Sequence, residues 1–224
     1  MFLRTALSAV IIFSALGLAR AQPQPSAALP NFTIAVTNGD VRMATSMLDN
    51  GFPINARNAR GETPLLLAVA AGQQKIAELL IARGADINAP ADNKDTPWLL
   101  AGARGRTAML EAMLPRGPDY SLRNRFGGSA LIPACHYGHV DTVRFLTART
   151  KIDVDHVNNL GWTCLLEAVI LGDGGPAHQE IVRIALKAGA NPNLADKDGV
   201  SPLAHARRRG QGEVAAIIEG GGGR

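Results

Sequence analysis

A block of ten residues recurs at fixed intervals along most of the chain and constrains its fold more than any other feature. Segment 63–72, TPLLLAVAAG, recurs in closely similar form as segment 96–105, TPWLLAGARG. The alanine at the sixth place and the glycine at the tenth return in three further blocks, 129–138, 163–172 and 201–210. A second block, Arg83-Gly-Ala-Asp-Ile-Asn88, recurs behind the first, for example at 188–193. A repeat of this kind predicts stacked units that share one continuous core.

The residue types of the first block predict a short helix. Thr63 suits a helix N-cap and the following proline suits the first helical position, while Gly72 suits the left-handed residue that ends a helix. A second helix in each unit is predicted by apolar residues at helical spacing. These are Ile76, Leu79 and Leu80, then Met109, Leu110, Met113 and Leu114, then Val140, Val143 and Leu146, and finally Val214, Ile217 and Ile218. The sequence therefore predicts an all-α chain of two helices per unit.

The repeating unit, about 33 residues long, opens on T-P-L-x-x-A and closes on G-A-D-x-N, and in this it resembles the ankyrin repeat. The resemblance implies an ankyrin-repeat solenoid of stacked helix-turn-helix units with β-turn fingers, in about six repeats including caps. It covers residues 31–219, between a flexible linker at 22–30 and a flexible tail at 220–224. The approximate repeat boundaries are 31–57, 58–90, 91–123, 124–157, 158–195 and 196–219. Lys94 stands where the other turns have glycine, so we expect an altered turn there.

The segment 1–21 has the pattern of a secretory signal peptide. Arg4 precedes an apolar run of about a dozen residues, too short to span a bilayer, and small residues at Ala19 and Ala21 match a cleavage site. We expect cleavage after Ala21, export across the inner membrane and a periplasmic location. An extracellular location is the alternative. No membrane insertion is expected after cleavage.

Charge does not favour a polyanionic partner. The formal net charge of +4 falls to +2 once Arg4 and Arg20 leave with the signal. Acidic residues are interspersed with the arginines of the turns, which is not typical of a surface that follows phosphates. We expect no nucleic-acid binding.

No constellation of residues predicts catalysis or a cofactor. The sequence contains no G-x-S-x-G, no H-E-x-x-H and no phosphate-binding glycine loop. His136 and His139 flank a predicted turn and no carboxylate pattern completes a metal site, so no metal is expected. Cys135 and Cys164 occupy different places in their repeats, at different expected heights on stacked helices. We therefore expect two free, buried thiols rather than a disulfide.

The ankyrin resemblance implies binding through the turn tips and the inner face of the first helices. Transferred to this sequence, those places include an unusual number of aromatic and large aliphatic residues in the fourth and fifth units, with arginines nearby, which is typical of a protein-binding surface. The expected partner-binding residues are Arg60, Arg104, Arg125, Phe126, His136, Tyr137, Leu160, Trp162, Ile170 and Leu171. Packing of Trp162 and Ile170 in the core is the alternative for those two residues.

The resemblance and these residues together predict a monomeric, non-catalytic module that binds a protein partner outside the cytoplasm through its concave face. Two alternatives remain open. One is a periplasmic metal-binding or small-ligand-binding protein that uses the region of His136 and His139. The other is an exported effector that binds a host protein with the same face.

Overall fold

The computed structural model describes residues 25–224, with side chains from Leu29 onward, and this part of the chain is helical with no strand. Twelve α-helices of this part of the chain form six successive pairs, and a short 3₁₀ helix, Leu114–Arg116, follows the sixth helix. The first helices of the pairs are α1 (Pro25–Asn38), α3 (Pro64–Ala71), α5 (Pro97–Ala103), α7 (Leu131–His136), α9 (Cys164–Ile170) and α11 (Pro202–Arg208). The second helices are α2 (Val41–Asp49), α4 (Gln74–Ala82), α6 (Thr107–Met113), α8 (Val140–Arg149), α10 (Pro176–Lys187) and α12 (Gly212–Gly220). The predicted signal peptide lies outside the described residues.

The residues expected to begin and end the first helices do so. Thr63 Oγ1 accepts a hydrogen bond from the backbone N–H of Leu66 at 3.3 Å, and Thr96 and Thr163 cap α5 and α9 in the same way. Gly72 follows α3 with a φ of 72°, a left-handed conformation that costs glycine little. Each of these first helices is therefore held by its own repeat motif.

The turn before the third helix pair keeps the geometry of the others, although the sequence predicted an altered turn. Lys94 adopts a φ of 67°, close to the 70° of Gly61 and the 72° of Gly127. Its backbone N–H donates to the carbonyl oxygen of Ala91 at 2.9 Å, and the N–H of Gly61 makes the corresponding bond to Asn58. The expectation was wrong because the stacked neighbouring turns fix this backbone whichever residue is present.

The helices form two layers that share one core. Each first helix contacts the first helices of the adjacent units, and each second helix contacts the second helices, so contacts run between neighbours along the chain. The predicted stripes of the second helices point inward: Ile76, Leu110 and Leu146 are fully buried, as is Ile218 in the last unit. This is a helical repeat solenoid, as the sequence predicted.

Cys135 and Cys164 form a disulfide, with Cα atoms 5.4 Å apart, so the prediction of two free thiols was wrong. That prediction assumed that equal places in neighbouring repeats lie level, whereas successive first helices are staggered. The stagger brings the seventh residue of one ten-residue block, here Cys135, against the second residue of the next block, here Cys164. Gly102 and Ala130 occupy the same two places one repeat earlier, where a Cβ on Gly102 would lie 2.7 Å from the Ala130 Cβ. The cysteines therefore occupy a recurring contact between stacked helices.

Both ends of the described chain differ from the predicted boundaries. Helix α1 begins at Pro25, so residues 25–30 of the expected linker are helical. The tail at 220–224 is hydrogen-bonded: the N–H of Gly223 donates to the carbonyl of Ile218 at 2.9 Å, and the N–H of Arg224 donates to Asn193 Oδ1 at 2.8 Å. The tail thus repeats the closing turn of the earlier units, in which Asp119 N–H donates to Asn88 Oδ1.

Candidate functional site

A concavity of about 910 Å³ opens between the turns and first helices of the third, fourth and fifth units. Helices α5, α7 and α9 form its back, and the turns before these three helices form its side. Seven of the ten predicted partner-binding residues line it: Arg104, Arg125, Phe126, His136, Tyr137, Leu160 and Leu171. We call this region the concave groove.

The other three predicted residues lie outside the concave groove. Trp162 and Ile170 are half-buried, as expected for side chains that pack against their neighbours. Arg60 is exposed in the second unit, where its guanidinium pairs with Glu62 at 2.8 Å. These three residues share the predicted repeat positions but not the surface that the other seven form.

Aromatic side chains in the groove are unusually exposed. Phe126 is 50% and Tyr137 60% accessible to solvent, and Leu160 and Leu171 are also exposed. The Arg125 guanidinium lies 4.6 Å from the centre of the Phe126 ring, and the ring of His136 stacks on Tyr137 at 4.2 Å. These contacts hold the rings in place, while at least half of Phe126 and of Tyr137 stays accessible to solvent.

A buried carboxyl group forms part of the groove floor, and the sequence prediction missed it. The Glu167 side chain is 8% exposed. Its Oε1 accepts a hydrogen bond from Asn158 Nδ2 at 2.8 Å, and its Oε2 lies 3.9 Å from His136 Nδ1. Burial raises the pKa of Glu167 from 4.5 to about 7, although the Asn158 hydrogen bond opposes this effect.

The repeat itself contained a signal for Glu167. Its place in the block is occupied by Leu67, Leu100 and Pro133 in the three preceding blocks, so a carboxylate there is a departure from an apolar pattern. The last unit has His205 at this place, and His205 Nε2 lies 2.7 Å from Asp196 Oδ2. Asp196 and Asn158 are equivalent turn residues, so both units connect this place to the turn by a polar contact.

The histidines around the groove are engaged by the protein. Burial lowers the pKa of His139, and the nearby backbone of Ala103 opposes this shift. His178 lies between two acceptors, with Nδ1 2.8 Å from Asp173 Oδ1 and Nε2 2.9 Å from the His136 carbonyl oxygen. These contacts connect the segment 173–178, which joins α9 to the start of α10, to the end of α7. Within residues 25–224, no group of three or more histidine, cysteine or acidic side chains is arranged to hold a metal ion.

One acidic group at the side of the groove pairs with one of its arginines. Asp95 lies 3.9 Å from Arg125 and accepts a hydrogen bond from Asn93 Nδ2 at 2.9 Å. Burial raises the pKa of Asp95, and the nearby Arg125 opposes that shift. Arg104 and Arg106 also line the groove. The rim of the groove therefore carries three arginines, and one of them, Arg125, pairs with Asp95.

None of the helices in the described part of the chain is both long and apolar enough to cross a membrane.

Comparison with known proteins identifies the repeats. A family model described as "Ankyrin repeats (3 copies)" matches residues 30–91 and 98–196. YahD, a putative ankyrin repeat protein of Escherichia coli (strain K12), is 48% identical over 100 residues, which are 45% of this chain and 50% of YahD. The chain thus matches about half the length of that relative.

Solved structures agree over most of the chain. An ankyrin repeat domain from Acinetobacter baumannii AYE is 47% identical with a TM-score of 0.82, covering 87% of this chain and 98% of that one. The ankyrin repeat domain of Bcl-3, a member of the IkappaB protein family, is 27% identical with a TM-score of 0.74 and 86% of each chain covered. The spacing of the blocks, the paired helices and these matches show that the chain belongs to the ankyrin-repeat family.

Proposed function

We propose that this protein is a monomeric, non-catalytic binding module that captures a protein partner in the concave groove, outside the cytoplasm. Ankyrin repeats are generally modules for protein–protein interaction, and the family is typically non-enzymatic. The proposal for this chain adds the binding surface, the absence of catalysis and the compartment.

The observation that carries the proposal is the cluster of exposed apolar side chains in the groove. Phe126, Tyr137, Leu160 and Leu171 are each at least 41% exposed and line one concavity. Aromatic side chains in a concave site, with arginines at the rim, are the usual composition of the residues that dominate protein binding. Large exposed apolar patches are uncommon on proteins that have no partner.

Export is supported by two independent features. The segment 1–21 has the sequence of a secretory signal, and the disulfide between α7 and α9 is of a kind that persists in oxidising compartments. Fractionation of cells into cytoplasm, periplasm and medium tests this part of the proposal. Recovery of the protein in the periplasm is expected, recovery in the medium favours an exported effector, and recovery in the cytoplasm contradicts export.

Partner capture tests the groove. We expect the triple variant F126A/Y137A/L160A to capture at least tenfold less partner than the unaltered chain captures from an extract of its own compartment. Each truncated side chain should cost about 1–2 kcal/mol of binding free energy. The readout is the amount of each captured protein, measured by quantitative mass spectrometry.

The matched control is I34A/M43A, which removes two exposed apolar side chains from the first helix pair, outside the groove. This variant should capture the partner as the unaltered chain does. Both variants should keep the melting temperature within a few degrees, since all five side chains are exposed. A triple variant that binds within twofold of the unaltered chain would falsify the assignment of the groove.

A further inference from the structure

One carboxylate oxygen of Glu167, Oε2, has no hydrogen-bond partner in the described part of the chain. Its Oε1 is held by Asn158, whereas the nearest basic nitrogen to Oε2 is His136 Nδ1 at 3.9 Å. No lysine or arginine nitrogen of the described chain lies within 4.0 Å of this carboxylate. The side chain is more than nine-tenths buried, yet it belongs to the lining of the concave groove. Oε2 is thus unpartnered among the described residues but not fully enclosed, so it is open to the groove that Glu167 lines.

An isolated buried carboxylate is costly unless a cation or hydrogen-bond donor compensates it. Leucine occupies the position of Glu167 in two earlier repeats, at Leu67 and Leu100, and a leucine carries no cost of burying a charge. A bound cation would remove the penalty on Glu167. The position thus resembles one half of an ion pair. The nearest basic side chain in the described part of the chain, His136, has a pKa that burial and the nearby His178 hold below 6.5, so it is mainly neutral at pH 7 and does not supply the missing charge.

The surroundings define what kind of cation fits. Tyr137, Leu160 and Leu171 offer apolar surface beside the floor, which suits the methylene stem of a long side chain. The rim carries Arg104 and Arg106, which repel a broadly basic surface. This distribution of charge is complemented by a single basic group on an apolar stem. Acidic groups on either side of it would pair with the arginines of the rim.

We propose that the concave groove receives a polypeptide segment of the partner and that Glu167 binds one lysine or arginine side chain of that segment. This inference rests on the proposed function, since it names the chemistry of the partner at the same surface. Phe126 and Tyr137 supply the apolar contacts, and Glu167 selects the residue that occupies the floor. Acidic residues beside the basic one meet Arg104 and Arg106.

A peptide selection tests the proposal without knowledge of the natural partner. Random twelve-residue peptides made by messenger-RNA display are selected on the purified protein at pH 8, where Glu167 is mainly ionised. We expect the selected peptides to share one lysine or arginine next to apolar residues. Replacement of that residue by norleucine in a synthetic peptide should weaken binding at least tenfold, because it removes one side of a buried ion pair.

We call the selected peptide the lysine peptide and its analogue the norleucine peptide. The dissociation constants of E167Q for these two peptides should lie within about threefold of each other, since glutamine keeps the size of the side chain but carries no charge. The matched control is E62Q. Glu62 also accepts a hydrogen bond from the asparagine of its turn, Asn58, but lies in the second unit outside the groove. E62Q should keep the full preference for lysine.

A calorimetric measurement on the unaltered chain does not depend on any variant. Binding of the lysine peptide at pH 7 should release protons, because a cation beside Glu167 lowers the pKa of the carboxyl group. Titrations in two buffers of different ionisation enthalpy measure this release, and the norleucine peptide should show less of it.

The outcomes separate this inference from the proposed function. Peptides that bind through Phe126 and Tyr137 but show no basic preference, or a preference that E167Q retains, contradict the role of Glu167 alone. Failure to select any peptide whose binding requires Phe126 and Tyr137 contradicts both the role of Glu167 and the groove as a binding site for polypeptides. A lysine preference lost in E167Q and kept in E62Q supports both.

Discussion

Lys94 and Glu167 each occupy a place where the other repeats have a different kind of residue, with opposite consequences. Lys94 adopts the left-handed backbone of the glycines at its place, at a cost of about 1 kcal/mol. Glu167 retains a carboxyl group where apolar residues pack, and its pKa rises as a result. The first departure is absorbed by the fold, whereas the second changes the chemistry of the groove.

The raised pKa of Glu167 makes stability depend on pH. The carboxyl group titrates near 4.5 in the unfolded chain and near 7 in the folded protein, so the folded state binds more protons between these values. The contribution of Glu167 to the free energy of unfolding should therefore rise as pH falls from 8 to 5.5, whereas His136 and His139, whose pKa values burial lowers, act in the opposite direction. Relative to E167Q, the unaltered chain should gain about 1–2 kcal/mol in the free energy of unfolding over this range.

Urea denaturation at several pH values measures the difference between the two chains, which removes the contribution of the histidines that both share. E62Q is the control, because the pKa of Glu62 is lowered and the group stays ionised throughout this range. A difference between the unaltered chain and E167Q that does not vary with pH would show that the carboxyl group is not perturbed.

Helices α7 and α9 are joined both by packing and by a covalent bond. Cys135 is next to His136 at the end of α7, and Cys164 begins the helix that carries Glu167. The disulfide therefore connects two helices that form the back of the concave groove. Both cysteines are fully buried, so reductants reach them mainly when the protein opens.

Removal of the disulfide should destabilise the protein. The bond joins cysteines with a sequence separation of 29, for which the chain-entropy estimate is about 3–4 kcal/mol. We expect C135V/C164A to lower the free energy of unfolding by about that amount, measured in urea. Valine and alanine are the types found at the same places, at Val69 and Ala130, so the variant keeps the packing of the repeat.

The covalent bond can be checked directly. Mass spectrometry of the denatured protein should find it two hydrogens lighter before reduction than after it. Two free thiols in unreduced protein from an oxidising compartment would refute the disulfide, and equal stability of C135V/C164A would show that the bond contributes nothing to folding.

The whole molecule is a row of units in which each unit is stabilised by its neighbours. The tail at 220–224 contacts the last described unit through hydrogen bonds like those that close the earlier units. Arg224 N–H donates to Asn193 Oδ1, and Asn193 Nδ2 donates to the Gly222 carbonyl at 3.1 Å. The tail completes the last unit rather than extending from it.

Deletion of residues 221–224 should destabilise mainly the last unit. The deletion removes the hydrogen bonds of Gly223 and Arg224, at a cost of about 1–2 kcal/mol. Hydrogen exchange should accelerate in α11 and α12 but remain unchanged in α3 and α4. Deletion of Arg224 alone is the control and should have a smaller effect. Unaltered exchange in α12 after the longer deletion would mean that the tail does not support the repeat.

Much of the fold and part of the site follow from local sequence. The blocks specify where the first helices begin and end because an N-cap, a proline and a left-handed glycine act within a few residues of each other. Phe126, Tyr137 and Leu171 hold the repeat positions from which the binding surface was predicted, and they line one concavity. The position in the repeat does not show whether a side chain faces the groove or packs against its neighbours. Trp162 and Ile170 hold predicted positions, yet they are half-buried and lie outside the groove.

The sequence by itself determined the repeat, its helices and its family, because those depend on short-range signals repeated in phase. Only the tertiary structure decided the disulfide, the order in the tail and the environment of Glu167. Each of these depends on how one unit is staggered against the next, and that stagger is set by packing between residues in neighbouring repeats. The sequence pattern within one repeat predicts the helices of that repeat, but it does not predict how far one repeat is shifted along the next.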